Sequence, residues 1–124
     1  MKQLYGLGRE GFLGGDVDWD ADTIKAILID TGLYTVAIDA DQFLTDIPAG
    51  ARIATSAALS SKTKALGVAD AANVVFSSVT GNSCEALVLI QDTGVEGTSR
   101  LIIYNDEGTG QTKDLESDLR AAFV

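Results

Sequence analysis

Residues 86–94 read ALVLIQDTG and residues 26–32 read AILIDTG, so an apolar run ends in Asp-Thr-Gly twice in one chain. Each run has the length of a strand, and each stops at turn chemistry: Asp hydrogen-bonds its own backbone and Gly supplies positive φ. The wider segments Thr23–Ile29 and Cys84–Gln91 therefore read as strands, the first apolar on both faces. Working outward, Leu33–Ile38 alternates Tyr34, Val36 and Ile38 against Thr35 and Ala37. Arg52–Leu59 alternates Ile53, Thr55, Ala57 and Leu59. Asn73–Val79 places Phe76 opposite Val75 and Val79, and Arg100–Tyr104 is a last apolar run. Asp39–Ile47 reads as a short helical turn carrying Phe43, Leu44 and Ile47, stopped before Pro48. Residues 60–72 read as an exposed connection, with loops at 14–22, 92–99 and 105–113.

The two ends read as helices. Residues 2–13 carry Leu4, Leu7 and Phe12 inward, weakened by glycines at 6, 8 and 11. Asp114–Val124 carries Leu115, Leu119 and Phe123 at four-residue spacing, with Asp114 as cap. The expected fold is mainly β: a single small sandwich or partly open barrel of about six or seven short strands, with short N- and C-terminal helices. The expected organisation is an N-terminal helix and loop arm over 1–22, a β core over 23–104, and a loop with an amphipathic helix over 105–124.

The chain has 124 residues, enough for one domain with its own core, and 46% of them are hydrophobic, too many for disorder. Its net charge of −9, with no run of basic residues, argues against nucleic acid and anionic membranes as partners. Lys62 and Lys64 sit in a Ser/Thr/Lys stretch that reads as surface. The absence of histidine removes the commonest general base and metal ligand, and with them any Ser-His-Asp or Cys-His triad. One cysteine, Cys84, permits no intrachain disulfide; its place in the alternation makes it a small buried apolar residue. The opening MKQLYGLGREGFLGG lacks the apolar core of a secretory signal, and no apolar run reaches the ~20 residues of a membrane span, so synthesis in the cytoplasm is expected.

Three motifs suggest chemistry. Gly6-Leu7-Gly8-Arg9-Glu10-Gly11 spells a dinucleotide fingerprint, but five residues before it leave no adequate strand, so glycine spacing is the better reading. The paired Asp-Thr-Gly motifs match an aspartic protease, yet Leu33 and Val95 follow where small residues belong, and turns explain both. Asp16, Asp18, Asp20 and Asp22 alternate as calcium ligands do, but the sixth and twelfth positions hold Ala21 and Ile27 rather than Gly and Glu. A solvated acidic turn is favoured. No catalytic residue, cofactor or metal ligand is assigned, and the chain is not expected to be an enzyme. Trp19 lies among these aspartates and is expected to pack on the domain or on a neighbouring subunit.

From Lys25 to Leu59 the chain reads D-T-G-x-Y-T-V, then D-Q-F-L-T-D-I, then A-R-I-A-T-S-A-A-L, anchored by Asp30, Tyr34, Phe43 and Asp46. Further on come G-V-A-D-A-A-N-V-V-F-S-S-V-T-G (67–81), E-A-L-V-L-I-Q-D-T-G (85–94) and T-S-R-L-I-I-Y (98–104). Over about residues 9–104 this resembles a family of small structural proteins encoded in the head modules of tailed bacteriophages, some of them similar to capsid cement or decoration proteins. The resemblance implies a virion protein on the outer capsid surface, a homo-oligomer, with a trimer favoured, that bridges hexamers of the major capsid protein. A tail or neck component is the alternative within the same class. The C-terminus departs from the family pattern, which has another strand after the Gly108 loop. Trp19, Leu115, Leu119 and Phe123 are the expected interface residues.

Overall fold

Two apolar runs with no polar face can be satisfied only by cover on both sides. A computed structural model describes residues 1–76 and 79–107 and the backbone of 112–113. In chain order its elements are β1 (Lys2–Leu4), α1 (Gly6–Leu13), β2 (Ile24–Ile29), β3 (Arg52–Thr55), β4 (Thr63–Ala65), β5 (Val68–Asp70), β6 (Val74–Val75), β7 (Ala86–Gln91), β8 (Leu101–Asn105) and β9 (Thr112–Lys113). Five of them form one antiparallel sheet in the order β1-β8-β7-β2-β3, and β4-β5 and β6-β9 form two-stranded ribbons. The fold is mainly β, as the sequence led one to expect, and no closed barrel forms among the described residues.

β2 and β7 pair from Ile24↔Gln91 to Ile29↔Ala86, and every residue of β7 and β8 is buried. Ala26, Leu28, Leu87 and Leu89 enter one core with Val17, Trp19, Leu59, Ala69 and Phe76. Ile27, Ile29, Val88 and Ile90 enter the opposite core with Tyr5, Tyr34, Leu44 and Ile47. Each large apolar side chain buried in this way contributes roughly 1.5–3 kcal/mol. This two-sided cover is the reason the central strands show no polar alternation.

The N-terminal segment differs from the expected helical arm. Residues 2–4 form an edge strand, with Lys2 opposite Asn105 and Leu4 opposite Ile103. The helix starts only at Gly6, and its buried face is Gly8 and Gly11 rather than a leucine stripe. A Cβ on Gly8 would stand 2.7 Å from the Leu101 carbonyl oxygen and 3.1 Å from that of Ile102. The glycines of the G-x-G-x-x-G motif let a helix lie directly on β8. Residues 1–22 are thus part of the sheet and its first core.

Other differences share one cause, which is that apolar alternation does not require a ladder. In Leu33–Ile38, Tyr34 is buried, Val36 and Ile38 pack against the second core, and Thr35 and Ala37 are exposed. The segment nevertheless pairs with no strand; it is a turn and irregular chain that covers the sheet face. Arg52–Leu59 is a strand only to Thr55, where the Ser56 hydroxyl accepts from the Ala26 N–H at 2.9 Å in place of a ladder carbonyl. The expected connection 60–72 holds the β4-β5 hairpin, turned by Leu66 (φ 53°) and Gly67 (φ 78°), a conformation suited to the twist of a hairpin. Cys84 is half-buried rather than buried. The expected C-terminal helix, with Leu115, Leu119 and Phe123, lies outside the described residues.

Candidate functional site

The two Asp-Thr-Gly motifs follow β2 and β7, which run antiparallel, so their aspartates stand at opposite ends of the sheet, about 24 Å apart at about 3.4 Å per residue. They form no dyad within the chain. Asp30 accepts from the Gly32 N–H at 2.8 Å and from Asn82 Nδ2 at 2.9 Å. Asp92 accepts from the Gly94 N–H at 2.9 Å and pairs with Lys25 at 2.7 Å, and Gly94 takes φ +83°. Both are Asx turns. The Lys25 ammonium, then the Gly94 N–H, hold the Asp92 carboxyl below its ordinary value of 3.8. A depressed folded value means that this pair stabilises the protein above the unfolded pKa and that the benefit disappears as pH falls through the folded one. Asp92→Asn is therefore expected to lower stability at pH 7 and to flatten its loss below about pH 4, read from urea midpoints across pH.

The acidic loop is likewise tied inward. Asp18 Oδ1 accepts from the backbone N–H groups of Asp20 and Ala21, at 3.0 and 3.2 Å. Asp22 Oδ2 accepts from the Asp18 N–H at 2.8 Å and from Gln91 Nε2 at 2.6 Å. Asp20 pairs with Lys64, Asp16 lies 3.4 Å from Arg100, and Lys62 donates to the Asp22 carbonyl. No group of three or more His, Cys, Asp or Glu side chains arranged to hold a metal occurs among the described residues. Trp19, framed by these aspartates, is 6% exposed; it sits in the first core and donates its indole N–H to the Thr63 carbonyl at 3.0 Å. Of its two expected placements, domain or neighbour, the structure has it in its own domain, which corrects its assignment as an interface residue.

On the other sheet face Tyr5, Tyr34 and Tyr104 meet edge to face, with ring centroids 6.4 Å apart for the pairs Tyr5–Tyr104 and Tyr34–Tyr104. Tyr5 and Tyr34 share a hydroxyl bond of 2.9 Å, and Tyr34 donates to Asp41 at 2.7 Å. Burial pushes the Tyr5 and Tyr34 phenols well above the ordinary 10, and Tyr104 up to about 12. In the unfolded chain these groups ionise near 10, so stability falls as pH rises above that value. Absorbance at 295 nm is expected to stay flat to about pH 11 and then rise together with loss of the fold. A gradual rise centred on pH 10 would contradict the buried cluster.

Arg52 holds the second core's cover in place: its Nε and Nη2 donate to the Ile47 carbonyl at 2.9 and 2.7 Å, and Nη1 pairs with Glu96 at 2.8 Å. Arg100 lies 5.6 Å over the Phe43 ring. Burial, then Glu85 and Asp30, push the Cys84 thiol up, away from reactive thiolate. Among the described residues, the only buried side-chain nitrogen or oxygen without a hydrogen-bond partner is Asn105 Nδ2, and nothing in the structure explains it.

What remains uncommitted is surface. The Ser56 N–H bonds to the Ala26 carbonyl, so ladder alternation turns the main-chain groups of Ile53 and Thr55 away from β2. Beside this outer edge runs a groove of about 360 Å³, walled by Ile53–Ala57 and by Val75, Phe76, Val79 and Thr80. It continues into a hollow of about 210 Å³ between Ala57–Ser60 and Asn73–Val75. Among the described residues, no charged side chain lines either. Among the described residues, Val75 (68%), Leu13 (89%) and Leu66 (103%) are the most exposed apolar side chains. Sequence reading missed the groove because its walls, 53–57 on one side and Val75, Phe76, Val79 and Thr80 on the other, are joined only by tertiary packing. The early end of β3 at Ser56 was the available signal.

No helix among the described residues is long and apolar enough to cross a membrane. Of the expected interface residues, Trp19 is internal and Leu115, Leu119 and Phe123 lie outside the described residues. The chain matches no known family model, and no curated protein matches it.

Proposed function

We propose that this protein is a structural subunit of a tailed-phage virion, a cement or decoration protein that binds the outer surface of the major capsid protein shell as a homo-oligomer, with a trimer favoured. The observation that carries the reading is the division of labour among its polar groups. The carboxylates that suggest chemistry, in the Asp-Thr-Gly turns and the acidic loop, are held in local structural bonds. Among the described residues, the surface keeps β3 at the edge of the sheet, a groove lined by no charged side chain, and exposed apolar side chains. A protein whose task is contact needs the second and has no use for a catalytic constellation. The net charge of −9 also suits a component that must stay off packaged DNA. Many weak contacts, repeated by symmetry, gain strength through avidity, as holding a shell requires.

Electron cryo-microscopy of particles from a lysate carrying this gene tests the proposal. Symmetric density for the chain over capsomer junctions is the expected result. Density confined to the neck or tail would move the protein to another virion role, and absence from particles would overturn the structural reading.

A further inference from the structure

We infer that the side chains of Lys2 and Asn105 join in an intramolecular isopeptide bond that ties β1 to β8. The bond is internal to one chain and does not depend on the proposed function.

The register brings the two residues together. Lys2 stands opposite Asn105 in the antiparallel β1–β8 ladder. The Tyr5 N–H donates to the Ile102 carbonyl and the Asp106 N–H to the Met1 carbonyl. The hydrogen-bonded pairs are therefore Met1–Asp106, Gln3–Tyr104 and Tyr5–Ile102. Lys2 and Asn105 fall between them as a non-hydrogen-bonded pair, the kind whose Cα atoms lie about 4.5 Å apart and whose side chains stand closest on one face.

Asn105 is placed for reaction. It is 1% exposed, opposite Leu87 on its other side and two residues from Ile103, both in the first core. Its Nδ2 has no acceptor. Lys2, half-buried across the ladder, brings only further donors, so no hydrogen bond between the two can settle that nitrogen. Departure of Nδ2 as ammonia does settle it. The Asn105 Oδ1, by contrast, accepts from the Glu107 N–H at 2.9 Å. That donor polarises Cγ toward attack and steadies the oxyanion that attack creates. The Glu107 carboxylate lies at the same corner: its Oε2 is 3.3 Å from the nitrogen of Met1, the residue before Lys2.

The step is an amide exchange with no change of oxidation state. The Lys2 ammonium gives one proton to the Glu107 carboxylate, and the free amine attacks Asn105 Cγ. The Nζ–Cγ bond forms. The Cγ–Nδ2 bond breaks as Nδ2 takes the proton back from Glu107. Nζ sheds its second proton to the departing ammonia, which leaves as ammonium. Burial of Asn105 keeps out water, the competing nucleophile.

Intact-mass spectrometry of the denatured full-length protein tests the inference. The expected mass is about 17 Da below that of the sequence, the loss of one ammonia. Tryptic digestion is expected to yield peptides 1–9 and 101–113 as one linked species. Lys2→Arg, which keeps the charge and the strand, is expected to restore the full mass. Glu107→Gln is expected to slow the loss by about a hundredfold in freshly made protein; an unchanged rate would overturn its part in the proton transfer. The full sequence mass in aged wild-type protein would overturn the bond itself. So would a gain of about 1 Da, which marks hydrolysis of the Asn105 amide by water. A 17 Da loss that persists in Lys2→Arg would overturn it as well, since it would mark closure of Asn105 onto its own backbone.

Discussion

Gly8→Val is expected to cost roughly 3 kcal/mol or more, the upper range for overpacking, and to lower the melting temperature by roughly 15 °C. The added Cβ would lie 2.7 Å from the Leu101 carbonyl oxygen and 3.1 Å from that of Ile102. Both are backbone atoms of a strand buried along its whole length, so they cannot withdraw without disturbing the β7–β8 ladder. α1 must lift from the sheet instead. Gly11→Ala supplies the contrast. Its Cβ would meet Val17 Cγ2 at 3.0 Å and Arg100 Cδ at 3.1 Å, both side-chain atoms that can move a few tenths of an ångström. Helix propensity favours alanine by up to ~1 kcal/mol, so this change is expected to be near neutral. Urea unfolding of the pair decides the matter: equal losses would show that the helix does not rest on Gly8.

Trp19→Ala is expected to cost about 3–5 kcal/mol, the range for removing a large buried aromatic side chain. The indole packs with the first core, among Val17, Ile24, Leu59 and Phe76, and its N–H satisfies the Thr63 carbonyl at 3.0 Å. Trp19→Phe keeps most of the packing and loses the hydrogen bond, and is expected to cost less. Urea midpoints of the two variants read the difference. Acrylamide quenching of the native protein separates core from interface: a core indole stays protected at every protein concentration. Quenching that increases on dilution would return Trp19 to a subunit contact.

These two residues show where sequence reading succeeded and where it stopped. Gly6, Gly8 and Gly11 were visible as a spaced set, and the missing strand before them ruled out the nucleotide reading. Which face of α1 is buried was not visible, because a glycine carries no hydropathy to mark it; the mark is a carbonyl on β8 that is distant in sequence. Trp19 was legible as a residue that must leave water, but the surface it would cover depended on the β4 backbone, 44 residues on. The Asp-Thr-Gly turns were read correctly as turns, since an Asp side chain bonding the N–H two residues on is a local event. Leu33–Ile38 shows the opposite case: its alternation told truly which side chains face inward, yet whether an edge stood ready to pair with it was a tertiary question.

The sequence by itself determined the mainly β class, the central strands and their turns, and the exclusion of histidine-based chemistry, because those follow from residue type and short-range spacing. The tertiary structure alone decided which alternating segments pair, that α1 rests on glycines, that Trp19 belongs to its own core, and that β3 stands at the edge of the sheet beside a groove lined by Val75, Phe76 and Val79. Each of these depends on which distant backbone lies within a few ångströms, and hydropathy along a chain carries no such distance.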